Sequence, residues 1–124
     1  MTPSLETVWK RFDAPDEVRV FEKGRFELLT LGPMVIGRAT YAPGWVWSRH
    51  VGPTAGTPLC EVEHVGLVIS GRAAVRMRDG SERVLAAGDA FYVAPGHDSW
   101  VVGDEPYVSL HIVGGEGYAA PSAG

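Results

Sequence analysis

Turn signals recur along this chain at short intervals, and they constrain its fold more than any other feature. Asp79-Gly80, Gly88-Asp89, Pro95-Gly96 and Gly103-Asp104-Glu105-Pro106 separate apolar segments only a few residues long. Such punctuation belongs to tightly connected strands. Ten segments read as strands: 18–22, 25–31, 34–41, 45–51, 59–70, 72–78, 82–86, 90–94, 99–102 and 107–113. Asp79-Gly80 predicts a two-residue type I′ hairpin, with positive φ at both central residues. No segment sustains a 3.6-residue apolar period over three turns, so the chain predicts an all-β sandwich or barrel without a sustained helix.

Within 124 residues this means one domain. Residues 1–17 are polar, carry Pro3 and Pro15, and read as an arm laid over the domain or onto a partner subunit. The domain then occupies 18–115, and 116–124 is expected to be a flexible tail. The formal charge is −4, with no basic cluster beyond Lys10-Arg11, which gives no footprint for nucleic acid or anionic lipid. A single cysteine excludes an internal disulfide. No signal-peptide core or membrane-length apolar run is seen, and a cytoplasmic protein is the expectation. There is no phosphate-binding glycine loop, no Gly-x-Ser-x-Gly elbow and no Cys-x-x-Cys pair.

The polar residues within apolar segments carry what chemistry the chain has. In "CEVEHVG" strand alternation puts Glu61 and Glu63 on one face and Cys60, Val62 and His64 on the other. Two carboxylates are poor occupants of a closed interior, so His64 points inward. An inward imidazole needs a partner, and His50 on the preceding segment is the best placed. Either the two bond to backbone or water, or they hold a metal or ligand.

Cys60 shares the His64 face, but four residues of extended strand span ~13 Å. It reaches the same metal only if the strand bends, and otherwise is a small buried apolar residue. His97 follows the Pro95-Gly96 turn and faces either the interior or solvent, beside Asp98. His111 is read as interior. Trp45, Trp47 and Trp100 either wall a pocket or pack the core and a dimer contact.

The segments "GWVWSRH", "HVGLVISGRAAV" and "GDAFYVAPGHDSW" resemble the two signature blocks of the cupin superfamily. Gly44, five residues and His50 match the start of the first block. Gly52 stands where its second histidine belongs, and His64 stands where its glutamate belongs. Gly88-Asp89 and Pro95-Gly96 match the second block, whose histidine position holds Ser99, with His97 one strand step nearer the turn.

The resemblance covers about residues 30 to 113. It implies a double-stranded β-helix, a jelly-roll-like barrel, often dimeric, with a metal or ligand pocket in its lumen. On this frame His50, His64 and His97 are the expected metal ligands, for Zn, Fe, Mn or Ni. Cys60, Ser99, Trp47, Trp100 and His111 are the expected pocket residues. Two functions follow: a metal-dependent oxygenase, isomerase or lyase acting on a small organic molecule, or a metal-free module that binds or senses one. A homodimer is expected, with its edge strands covered.

Overall fold

The computed structural model describes residues 6–113; the expected tail at 116–124 lies outside them. Nine strands form: β1 (Glu17–Phe21), β2 (Gly24–Leu31), β3 (Met34–Tyr41), β4 (His64–Ser70), β5 (Arg72–Met77), β6 (Glu82–Ala86), β7 (Ala90–Val93), β8 (His97–Val101) and β9 (Tyr107–Val113). All pairings are antiparallel. One sheet runs β1-β2-β3-β9-β4-β7 and the other β6-β5-β8. The pairings nest: β5 with β6 inside β4 with β7, and both inside β3 with β9. A chain folded back on itself in this way is a jelly roll. No helix among the described residues is long and apolar enough to cross a membrane.

The segment 45–51, expected as a strand, is different. After extended Val46 the chain makes one helical turn, α1 (Trp47–His50), and a second, α2 (Gly52–Ala55). Asp98 fixes the first turn by accepting from Ser48 N at 3.0 Å and Ser48 Oγ at 2.8 Å. Pro53 sits in the first turn of α2, where its fixed φ is favourable, and left-handed Gly56 ends it. Neither turn is long enough to show a helical period, which is why the apolar pattern missed both.

The hairpin after β5 also differs from expectation. Met77 N donates to Ser81 O, so the loop is the three residues Arg78, Asp79 and Gly80. Only Gly80 has positive φ, at 90°. Asp79 Oδ1 accepts from both the backbone N and the Oγ of Ser81. This local carboxylate bond favours a turn with Asp79 on the ordinary side of φ.

The core lies between the sheets and includes Phe26, Leu28, Tyr41, Trp45, Trp47 and Val68. Outside it, Glu27 is buried and paired with Arg38 at 2.8 Å and Arg25 at 3.3 Å. The Arg38 guanidinium lies over the Phe12 ring at 4.9 Å, and Asp16 binds the Leu28 carbonyl and the Thr30 amide. The described part of the N-terminal segment therefore rests on β2 and β3.

Gly66 is where β4 comes closest to its neighbours. A Cβ there would overlap the Leu110 carbonyl oxygen and press on the Phe91 ring. Gly66→Ala is expected to cost about 3 kcal/mol, the upper part of the overpacking range, because backbone must move. A loss below about 1 kcal/mol in urea unfolding would show that the sheet yields there.

Candidate metal centre

The inner faces of the two sheets bring three histidines together. Cross-strand register sets His64 of β4 opposite Val93, and His111 of β9 opposite Gly66 and Gly37. From the other sheet, His97 at the start of β8 faces inward opposite Met77. The His64 ring lies edge-on to both of the others, with centroids 5.1 Å from His97 and 5.1 Å from His111. All three are nearly excluded from solvent, at 4 %, 3 % and 5 % exposure respectively.

Cys60 joins them because strand β4 begins only at His64. Residues 61–63 are not in a strand, and Cys60 instead forms an isolated bridge with His97. Cys60 N donates to His97 O at 2.8 Å, and His97 N donates back to Cys60 O at 3.2 Å. The ~13 Å separation expected of a straight strand therefore does not arise: Cys60 Sγ is 3.6 Å from His64 Nε2. The donor atoms of Cys60, His64 and His97 all lie within 4.8 Å of one another. Glu61 and Glu63 are exposed, as alternation required; Glu61 pairs with Arg78 and Glu63 accepts from Tyr92 Oη.

His97 is oriented by its other ring nitrogen, for Nδ1–H donates to Ala94 O at 2.7 Å. That bond selects the tautomer with a lone pair on Nε2, as is usual for an imidazole that binds metal. His111 Nε2 is 3.0 Å from Ser109 Oγ. Its ring is edge-on to Phe26 at 5.3 Å and to Phe91 at 5.8 Å.

His50 lies outside this group. Its segment is the helical turn α1, where strand alternation does not apply. Its Nδ1 accepts from Val46 N at 2.9 Å and its Nε2 is 3.4 Å from Glu22. The expected partnership of His50 with His64 is thus replaced by Cys60, His97 and His111. The strand reading of 45–51 misdirected it; the inward register of His111 on β9 is the signal that points to the true neighbour.

Burial governs the protonation of the cluster. It pushes the His64 pKa down to about 2, helped by the His111 and His97 rings. It pushes His111 to about 4 and lowers His97, against the opposing Ala94 carbonyl bond. The Cys60 thiol is pushed up to about 11. At neutral pH the metal-free cluster is three neutral imidazoles and a neutral thiol. An activated thiolate–imidazolium pair for nucleophilic chemistry is therefore disfavoured.

The three histidines border a cavity of about 40 Å³, room for a few waters at roughly 10–15 Å³ each. Its lining includes His64, His97, His111, Ser99, Tyr107 and Trp45. Trp45 is buried and stacked on Tyr41 at 3.8 Å, and its Nε1 has no hydrogen-bond partner among the described residues. Of the expected pocket residues, Cys60, Trp47 and Trp100 do not line the cavity. Trp47 is packed in the core. Trp100 is on the opposite face of β8 from Ser99, under the Arg76 guanidinium at 5.0 Å.

The donor set suits a transition metal. Bonds of 2.0–2.3 Å in tetrahedral geometry place ligand atoms roughly 3.3–3.8 Å apart. The Cys60–His64 pair already has that spacing, and side-chain rotations of about 1 Å would close the rest. Neutral imidazoles are ready ligands, whereas the thiol must lose its proton as metal binds.

No protein-family model matches the chain, and no curated protein matches it in sequence. Its fold, however, has been seen before. A mutant of Bacillus subtilis oxalate decarboxylase is similar at TM-score 0.57 and 25% identity, over 80% of this chain and 28% of that one. The Lactobacillus farciminis oxalate decarboxylase formate complex is similar at TM-score 0.60 and 18% identity, over 92% and 36%. A protein of unknown function from Acinetobacter is similar at 0.57 and 15%, over 79% and 90%. The chain thus spans less than a third of the Bacillus enzyme. These likenesses, with the nested antiparallel pairing of β3 with β9, β4 with β7 and β5 with β6, make the architecture a cupin-type jelly roll.

Proposed function

We propose that this domain holds a divalent transition metal on Cys60, His64 and His97 and uses it on a small organic molecule. The convergence of these three buried donors within 4.8 Å carries the reading. A thiolate beside two imidazoles favours Zn, Fe or Ni over the more oxygen-seeking Mn. Three protein ligands would leave a position open, and a metal held by them would supply Lewis-acid polarisation of a substrate oxygen.

The chain's own residues supply the surroundings. His97 is held by the Ala94 carbonyl. His111, neutral and bonded to Ser109, lies outside the ligand set with its ring centroid 5.1 Å from that of His64. Tyr107, whose hydroxyl burial pushes up to about 12, stays protonated as a donor at the cavity wall. No Arg or Lys lines this cavity among the described residues. An oxalate-like dianion would therefore find no counter-charge there except the metal, which separates this site from a simple copy of an oxalate decarboxylase.

The test is cobalt substitution. Co²⁺-loaded protein is expected to show thiolate-to-metal charge-transfer absorption, and Cys60→Ser to abolish that band while weakening retention at least tenfold. A spectrum unchanged by the substitution would remove Cys60 from the ligand set.

A homodimer belongs to the same reading. Leu67 and Ile69 of β4 lie beside Leu110 and Ile112 of β9 on the outer face of the large sheet, and Leu67, Ile69 and Ile112 are exposed. Apolar sheet faces of this kind are commonly covered by another subunit.

A further inference from the structure

A second recess adjoins the inner cavity. It has a volume of about 280 Å³ and opens between β6 and β7, the end strands of the two sheets. Val75, Leu85 and Val93 line both spaces, so a shared aliphatic wall stands between the recess and the histidines. The recess by itself, at about 280 Å³, lies near the lower end of small-molecule sites, ~300 Å³.

The recess has one unusual constituent. Register pairs Val75 with Arg83 and Ala73 with Leu85, so Arg83 and Leu85 share the lumen-side face of β6. Arg83 is the one Arg, Lys, Asp or Glu on that face of β5, β6 and β8 among the described residues. It makes no ion pair or side-chain hydrogen bond among them. The planar fork of a guanidinium matches two anionic oxygens, and the wall behind it is aliphatic. Across the recess Tyr92 Oη donates to Glu63 at 3.0 Å, which places a carboxylate nearby and opposes a doubly charged ligand.

We infer that the gap between β6 and β7 admits an amphipathic monocarboxylate, held by its carboxylate on Arg83 with its apolar body against Val75, Leu85 and Val93. The body then points toward the Cys60–His64–His97 centre. This names the substrate class for the metal reading above and rests on that reading for its chemistry, though not for its binding.

Calorimetric titration of the full chain, Zn²⁺-loaded and chelated, with hexanoate, octanoate and phenylacetate tests it, with octan-1-ol and octyl phosphate as comparisons. At least one acid is expected to bind, and Arg83→Gln to weaken it tenfold or more while octan-1-ol is unaffected. Arg83→Lys is expected to restore binding only in part. Methyl resonances of Val75, Leu85 and Val93 should shift with the acid. Failure of all three acids, indifference to Arg83→Gln, or tighter binding of octyl phosphate would overturn the proposal. Metal content of the same preparations separates the two readings. Arg83-dependent binding by a chain that retains no metal sinks only the metal centre, and retained metal with Arg83-indifferent binding sinks only this inference.

Discussion

His64→Ala is expected to reduce tightly held metal from about one equivalent per chain to almost none. His64 is the middle of the cluster: its Nε2 is 3.6 Å from Cys60 Sγ, and its ring is 5.1 Å from His97. With three protein ligands there is no spare donor in the set, and losing one removes most of the affinity. The fold should survive, since the cost of the small void is about 2 kcal/mol against a domain stability of roughly 5–15 kcal/mol. Elemental analysis of untagged protein, with far-UV circular dichroism as the check on folding, reads both. Glu61→Gln and Glu63→Gln are the controls and should keep their metal, because both side chains are on the outer face. Metal retained by His64→Ala, or lost from either control, would place the site elsewhere.

Acid should unfold the metal-free domain steeply. His64, His97 and His111 all have folded pKa values below the ordinary imidazole value of 6.5, so below that pH the unfolded chain binds the extra protons. Stability is therefore intact above pH ~6.5 and falls as pH drops. Each buried imidazole removes about 1.4 kcal/mol per pH unit until its own folded pKa is reached. That limit is about 4 for His111 and about 2 for His64. With His64 and His111 acting together the slope approaches ~3 kcal/mol per unit, to which His97 adds only down to its own lowered value, and a domain at the lower end of ordinary stability unfolds between about pH 4 and 5. His111→Gln should flatten the slope by about one proton, since one imidazole no longer gains a proton on unfolding. Urea-derived stabilities at a series of pH values measure this directly. A stability constant from pH 7 to 4.5 would mean that these histidines are not held neutral by burial.

Part of the site could be read in the sequence because the alternation rule is physical wherever a true strand exists. His64 was inward by elimination of Glu61 and Glu63, and its burial on β4 follows from the same two-residue period. His97, one strand step before Ser99, inherits that logic on β8, where both face the cavity. The rule failed where no strand formed. Across 45–51 it turned a helical turn into a strand and set His50 beside His64. Across 60–63 it kept Cys60 too far away, because it had no knowledge of the backbone bridge from Cys60 to His97.

What the sequence determined by itself was the all-β architecture, most strand limits and the inward direction of His64. These are local matters, set by turn chemistry and by which residues tolerate water. Which inward residues meet was decided only by tertiary structure. The pairing of β4 with β9 in one sheet and of β5 with β8 in the other brings His64, His97 and His111 from three distant strands to one point. It also leaves β6 and β7 as neighbouring free edges, with Arg83 between them. Such meetings depend on long-range register, and local periodicity carries no information about it.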